Sequence, residues 1–423
     1  MAKIAIIGTG YVGLASAVGF AHLGHEVVGV DIDKSKTDQL SKGQSPIFEQ
    51  NIEKFLTKAI KKKKISFTTD YSKISECKFV FLCLPTPQKV DGSADTSYIF
   101  ESSRLLTSHL KDSATLVIKS TVPVDTWKLV KEILKRPDAS IVSNPEFLRE
   151  GTALEDFFNP DRIVVGGTSE KESRAVADLY KAKKAKVVFT DNTSAEIIKY
   201  ASNSFLAIKL SFVNEIAAYA ESADANALEV LHAMGLDKRI GRDFLNPGPG
   251  WGGMCFPKDV SALKESARAR NVPIPLLDAA LESNLKAHAR IVEKVKKALG
   301  GSITGKKISV WGLSFKANTD DVRFSPAVSV IELLLAQGAV ISAFDPVVRE
   351  IDNLKIEISK DINESITGAN AIVLLTEWQE FKLVNPDSIS KLVNQKIIID
   401  SRNLLQKDKW EKAGFQFIGN GYN

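Results

Sequence analysis

At 423 residues, with 44% apolar and 25% charged side chains, the chain has the composition of a globular protein too long for one ordinary domain. Its 56 basic and 51 acidic side chains leave a net charge of only +5, and the one dense basic run, residues 61–64, reads as a solvated helix end, which argues against nucleic acid as a partner. Three scattered cysteines, Cys77, Cys83 and Cys255, supply neither a disulfide framework nor the spacing of a zinc site, so no metal and a reducing cytoplasm are expected.

Residues 3–7, KIAII, are an apolar run ending in GTGYVG; residues 11–23 follow with helical composition, and residues 26–30 resume as a strand that ends at Asp31. Strand, helix, strand in this order predicts the start of a parallel sheet. The opening stretch MAKIAIIGTGYVGLASAVGFA imitates a secretory leader in its lysine, apolar run and small residues, but the three glycines and the strand that follows assign it to the fold. Outside it no apolar run is long enough to cross a bilayer, so no membrane partner is expected. Gly8 would make the turn, Gly10 would let the backbone approach a pyrophosphate, and Gly13 would let the helix pack on the strand, with the helix N-terminus facing the phosphates. Asp31, eighteen residues past Gly13, is placed to bind a ribose diol and repel a 2′-phosphate. NAD is therefore expected over NADP, with Lys34 and Lys36 the residues that speak for the phosphate.

Further buried strands are expected at residues 79–84, 116–118, 140–142 and 163–165. Each ends in a polar or turn cluster, PTP, KSTVP, NPEF or GGT, and ligands bind beyond strand C-termini in doubly wound sheets. In SNPEFLREG, Glu146 and Glu150 stand at i and i+4, a pair able to divide the roles of base and positioner if their environments differ.

Residues 194–223 read as one long helix, with Thr193 and Glu196 as a capping box. Glu196, Lys199 and Asn203 share a face that Asn214 extends. That face is either a surface with a Glu196–Lys199 salt bridge or, because FLAIKLSFV beside it is apolar, a buried one where a lysine and an asparagine have work to do. After it comes GPGWGGMCFPKD. Cys255 is expected just before a helix over residues 258–269, with Pro257 in its first turn. The helix N-terminus and Lys258 would favour a thiolate, and the glycines would let a bulky group reach it. Cys255 therefore reads as a nucleophile, while Cys77 and Cys83, in or beside an apolar strand, read as small core residues.

LGGSITGKK reads as a linker, after which the opening pattern returns: residues 308–311 meet Gly312, a helix spans 326–337, residues 340–344 end in Asp345, and residues 371–375 and 396–399 add strands. This half lacks the three-glycine turn, so it should bind a nucleotide but not a full dinucleotide. The expected fold class is α/β, two Rossmann-like doubly wound domains joined by a central helical region with one long connecting helix, and the expected domains are 1–192, 193–300 and 301–423.

Together GTGYVG, KSTVPV, NPEFLREG, NPDRIVVGG, AEIIKYASNSFLA, NEIA, GPGWGGMCFPKD, GLSFK and DSRN, in this order along the whole chain, resemble the UDP-glucose 6-dehydrogenase family within the wider group of nucleotide-sugar dehydrogenases. The resemblance implies NAD-dependent four-electron oxidation of UDP-glucose to UDP-glucuronate: two hydride transfers, a thiohemiacetal and then a thioester on Cys255, and hydrolysis. By the same resemblance Lys199 would stabilise the oxyanion, Asn203 would hold it or a water, Asp259 would assist proton transfer, Glu146 would serve hydrolysis and Thr121 would position the water. It sets Gly8, Gly10, Tyr11, Val12 and Gly13 around NAD with Asp31 and Lys36, joined by Thr86, Thr121, Glu150, Lys258 and Arg323. Phe147, Leu148, Phe244 and Gly252 would line the sugar-nucleotide site beside Glu150, Lys199 and Asn203. Lys316 and Arg402 would grip the UDP portion. Arg239 of DKRIG matches an arginine that reaches the nucleotide of a neighbouring subunit, which implies a homodimer or higher homo-oligomer.

Four positions depart from the family pattern: Asp125 and Ser401 stand where glycine is usual, Met254 where serine is common and Phe324 where glutamate is. Three other readings remain open at this level. The substrate could be another nucleotide sugar such as UDP-N-acetylmannosamine, against which CFPKD speaks because the acetamido-sugar relatives tend to lack that lysine. The chain could be a two-electron hydroxyacid dehydrogenase, which needs no thiol, or a catalytically silent nucleotide-sugar binder.

Overall fold

A computed structural model describes residues 1–181 and 185–422. The chain divides into two compact units, Met1–Ser202 with Ser261–Val272, and Asn203–Val260 with Pro273–Asn423.

The first unit is built on an eight-stranded sheet. Its strands are β1 (Lys3–Ile7), β2 (Glu26–Val30), β3 (Ile65–Thr68), β4 (Phe79–Leu82), β5 (Thr115–Ile118), β6 (Ser140–Ser143), β7 (Arg162–Gly167) and β8 (Lys186–Thr190). They lie in the order β3-β2-β1-β4-β5-β6-β7-β8. The first six are parallel in the doubly wound order 3-2-1-4-5-6. β7 reverses direction, pairing antiparallel with β6 through Ser143 and Gly166, and β8 runs parallel to β7. The leader-like opening is thus the centre of the sheet, with Ile6 in register with Gly29 on one side and Phe81 on the other. β1, β4 and β5 read as unbroken apolar runs because helices cover both faces, leaving Ile4, Ile6, Phe79, Phe81 and Val117 in one core and Ile7, Val80, Leu82 and Leu116 in another.

The second unit carries β9 (Lys307–Trp311), β10 (Val340–Phe344), β11 (Glu357–Ile358), β12 (Ala371–Leu374), β13 (Ile397–Asp400) and β14 (Gln416–Ile418), all parallel, in the order β11-β10-β9-β12-β13-β14. This is again 3-2-1-4-5-6, so the weaker second pattern is a second Rossmann-like sheet. Helix Pro275–Ala298 packs its Ile291, Val292 and Val295 into the core of this sheet with Ile308, Val310 and Val330.

One helix, Asn192–Ser222, passes from the first unit into the second. Its start differs from the expected capping box. Asp191 accepts from the Ser194 N–H (2.8 Å) and hydroxyl (2.6 Å), while Thr193 and Glu196 turn outward to another segment.

Candidate functional site

At the end of β1 the Gly8 N–H donates to the Val30 carbonyl (2.8 Å), bending the chain with φ 87° into helix Tyr11–His22. A Cβ on Gly13 would collide with the Gly8 carbonyl oxygen, so helix and turn touch only because that side chain is missing; a Cβ on Gly10 would meet no atom within 4 Å, which leaves the backbone there open to a ligand. At the end of β2, Asp31 is buried and accepts from the Thr9 N–H and hydroxyl (2.8 Å each) and the Asp33 N–H (3.1 Å), with Lys36 Nζ 3.3 Å away. Burial acts to raise its pKa, but these donors and the Lys36 charge outweigh it and hold the carboxyl below its usual range. An open glycine turn at a helix N-terminus with a fixed carboxylate beyond it fits a dinucleotide. Gly13→Ala is expected to weaken NAD binding by at least about tenfold and to destabilise the first unit by about 2 kcal/mol, because backbone rather than a flexible side chain must give way; NAD titration by fluorescence and urea unfolding check this.

The Tyr11 hydroxyl is bound to Glu49, a buried carboxylate that sequence reading passed over. Glu49 also accepts from the N–H groups of Gly151 (2.8 Å) and Ala153 (2.9 Å), fixing the segment that follows Glu150. No local pattern marks Glu49; its partners lie 38 residues before it and 102 and 104 residues after it.

Beyond β4 and β5, the Thr86 hydroxyl donates to the Thr121 carbonyl (2.7 Å), and Ser120 Oγ accepts from the Leu84 N–H (2.7 Å). Beyond β6, Glu146 is 7% exposed, takes the Lys199 ammonium on Oε1 at 2.9 Å and accepts from the Leu148 N–H at 2.6 Å. Burial pushes its pKa up, yet the Lys199 charge and these hydrogen bonds bring it below the ordinary carboxylate range. Arg162 stacks 3.8 Å over the Phe147 ring, with Lys199 5.4 Å from the same ring. Glu196 does not pair with Lys199. It is buried, accepting from the N–H groups of Asp125 (2.7 Å) and Trp127 (3.0 Å), so the surface salt-bridge reading of this helix face fails and the buried one stands.

In the second unit Asp259 is 1% exposed, and each carboxylate oxygen has a donor: Asn203 Nδ2 on Oδ2 and Lys258 Nζ on Oδ1, both at 2.6 Å. Lys258, expected beside the thiol, thus directs its charge to Asp259. Cys255 is exposed and immediately precedes helix Phe256–Arg268, its carbonyl accepting from the Asp259 N–H (2.9 Å). The other two cysteines are buried, and burial pushes their thiols up, Cys77 to about 11 and Cys83 to about 12.

The glycines before Cys255 also have a packing role. A Cβ on Gly252 would strike the Phe324 carbonyl, one on Gly253 would lie 2.7 Å from the Phe315 ring, and one on Gly250 would lie 2.5 Å from His288. They let the cysteine loop press against its own unit. Asn284 grips Trp251 from both sides, accepting from its N–H (2.8 Å) and donating to its carbonyl (2.9 Å), while the indole donates to Ser211 (2.9 Å) and the Gly248 N–H to Asn214 (2.9 Å). Asn214, read as an extension of the reactive face, is a support for this loop.

Arg402 donates to the Leu375 carbonyl (2.8 Å) and pairs with Glu377 (3.1 Å) on the wall of a cleft of 430 Å³ that His232, Arg242 and Asn246 also line. Lys316 lies 5.4 Å from the Phe315 ring, and Phe244 is partly exposed at φ 60°. Arg323 chelates Asp321 (2.6 and 2.8 Å), and Arg239, its side chain 89% exposed, chelates Asp237. Among the described residues no group of three His, Cys, Asp or Glu could hold a metal ion, and no helix is long and apolar enough to cross a membrane.

A dinucleotide turn, a second nucleotide-type sheet and an exposed cysteine at a helix start define a nucleotide-dependent dehydrogenase. The chain matches three models of one family: its NAD binding domain over residues 2–184, its central domain over 193–286 and its UDP binding domain over 309–407. It belongs to the UDP-glucose/GDP-mannose dehydrogenase family. It is 40% identical to the UDP-glucose 6-dehydrogenase of Rhizobium meliloti over 433 aligned residues, covering 99% of each chain. Among solved structures it is similar to a UDP-glucose dehydrogenase from Pyrobaculum islandicum (TM-score 0.92, 34% identity, 100% of this chain and 98% of that one). It is also similar to a UDP-D-ManNAc dehydrogenase from Pyrococcus horikoshii (TM-score 0.89, 29% identity, 99% of each).

Proposed function

We propose that this chain oxidises C6 of UDP-glucose to the carboxylate of UDP-glucuronate with NAD as the acceptor. Family membership and the relatives named UDP-glucose dehydrogenases support the substrate. The observation that carries the mechanism is the exposed Cys255 at the start of the helix that bears Asp259. The Gly8, Gly10 and Gly13 turn with Asp31 would hold NAD, which would supply an acceptor for one hydride in each oxidation, a second NAD replacing the NADH formed in the first. The rest is the work of this chain's own groups. After the alcohol becomes an aldehyde, the Cys255 thiolate adds to the carbonyl carbon, and the new oxyanion is stabilised by Lys199 and held by Asn203. Asp259 takes and returns the protons. The second oxidation converts the thiohemiacetal into a thioester. Water, positioned by Thr121 and activated by Glu146, attacks that carbon, the C–S bond breaks, and acid and thiol are released.

In this reading residues 1–192 bind NAD, 193–300 carry the thiol and 301–423 hold the UDP through Lys316 and Arg402. The chain works as a homodimer, with Arg239 reaching the neighbouring nucleotide. Phe205, Phe212 and Tyr219, one heptad apart along helix Asn192–Ser222 and 48% to 71% exposed, support it as an apolar stripe suited to a second copy.

The test is stoichiometric. Two NADH per UDP-glucose are expected, with UDP-glucose preferred over UDP-N-acetylmannosamine in kcat/KM. The Pyrococcus horikoshii likeness makes the acetamido sugar the second reading, and a reversed preference would select it.

A further inference from the structure

The segment between β5 and helix Thr126–Leu134 carries Thr121. At its near end it is pinned by neighbouring loops, Ser120 to Leu84 and the Thr121 carbonyl to Thr86. Its far end lacks a cap of its own. Asp125 stands at the N-cap with φ 71°, its side chain makes no capping bond, and the first helical turn holds no acid. The unpaired N–H groups of a helix start need an acceptor when buried. Glu196, 4% exposed, reaches across from helix Asn192–Ser222 and takes two of them, Asp125 N–H at 2.7 Å and Trp127 N–H at 3.0 Å. One turn earlier, Thr193 accepts from the Trp127 indole (2.9 Å) and donates to Asp125 (3.0 Å). One turn later, Lys199 holds Glu146.

We propose that Glu196 is a positioning residue: by capping a helix from outside, it fixes the loop of Thr121 to the same stretch of helix that fixes Glu146. The proposal rests on the reading of Thr121 and Glu146 as the groups that place and activate the hydrolytic water. A shared helix face makes their separation a property of three consecutive turns rather than of two independent loops. Burial pushes the Glu196 carboxyl up to about 8, with Asp125 adding to the rise and the N–H donors and Lys128 opposing it. At neutral pH much of it is therefore protonated, and glutamine reproduces its shape and its accepting oxygen.

Glu196→Met keeps the volume and removes both acceptors; Glu196→Gln keeps one. In Glu196→Met, kcat is expected to fall on the order of 100-fold, as for a small misplacement of a reacting group. KM for UDP-glucose should fall in parallel, leaving kcat/KM within about threefold of wild type, because the slowed step follows acylation. Stopped-flow should still show a rapid burst of two NADH per site, and intact-protein mass spectrometry should show the acylated enzyme accumulating. Glu196→Gln, with one of the two acceptors left, should recover about tenfold of that loss, a rescue expected only if the acceptor is what matters. Thr121→Ala is the control. If it accumulates acyl-enzyme and Glu196→Met does not, the role of Glu196 is wrong while the reading of Thr121 survives. If Thr121→Ala does not accumulate it, that reading fails and takes the proposal with it. A Glu196→Met burst slowed in proportion to the steady rate, or unchanged turnover, also overturns it.

Discussion

Cys255→Ala is expected to abolish formation of the acid, lowering its rate by about 10³-fold or more, while binding of NAD and UDP-glucose stays within a few-fold of wild type. An aldehyde gives up no second pair of electrons until a nucleophile has added to its carbon, so the loss falls on the second oxidation. No other thiol can substitute: Cys77 and Cys83 are buried, with their thiols held protonated at about 11 and about 12. The residue is exposed, its backbone is fixed by the Asp259 N–H, and its loop is held by Asn284 and Ser211. Removing the sulfur should therefore leave the unfolding midpoint within about 2 °C, since surface changes away from packing features cost little. Chromatography of the sugar nucleotides and counting of NADH check the result. Continued conversion to the uronate would mean that a hydrated aldehyde is oxidised without a covalent step, and the thiol reading would be lost.

What was legible in the sequence was what is written locally. KIAII, FVFL, TLVI and AIVL announce buried parallel strands because all their positions but Lys3 are covered, and GTGYVG with Asp31 announces the dinucleotide turn because Gly13 packs on Gly8 and Asp31 binds Thr9 within one short unit. The edges of both sheets were not legible. β3 and β11 are short and partly exposed, and β8 is exposed almost throughout, so they carry no unbroken apolar run. The same limit governs the site. Cys255 could be placed at a helix start from Pro257 and Lys258 alone. That Glu196 caps a helix seventy residues earlier, or that Asn284 clamps Trp251, is a fact of long-range pairing that no spacing encodes. Two departures from the family pattern gain a physical reading only from backbone angles. Asp125 sits at φ 71°, where glycine is unstrained, and offsets that with contacts to Lys128, Arg270 and Thr193. Phe324 sits at φ 51°, an uncommon place for an aromatic residue, with its carbonyl against Gly252. Ser401 is buried and donates to the Leu374 carbonyl (2.6 Å); nothing in the structure explains Met254.

Lys199→Met is expected to lower turnover by about 10³-fold and, separately, to destabilise the protein by about 3–5 kcal/mol near neutral pH. The first effect is loss of the cation proposed for the oxyanion. The second follows from Glu146, which is 7% exposed and would keep the Leu148 N–H and the more distant Lys119 charge but lose its 2.9 Å ion pair. In the wild type its folded pKa lies below the ordinary 4.5, so its contribution is fully present above that value and is lost as pH falls through the folded pKa. Without Lys199 burial dominates, and the carboxyl rises above 4.5 in the folded state. The sign then reverses: the fold takes up a proton that the unfolded chain has released, and stability falls as pH climbs from about 4.5 through the raised value. Urea unfolding at pH 5 and pH 8 should show the variant nearer to wild type at pH 5. Adding Glu146→Gln should restore most of the stability at pH 8 by removing the charge, yet leave the NADH burst that precedes hydrolysis as slow as before. If the double variant regained the burst along with stability, Lys199 would be no more than the structural counterion of Glu146, and oxyanion stabilisation would have to be sought in Asn203.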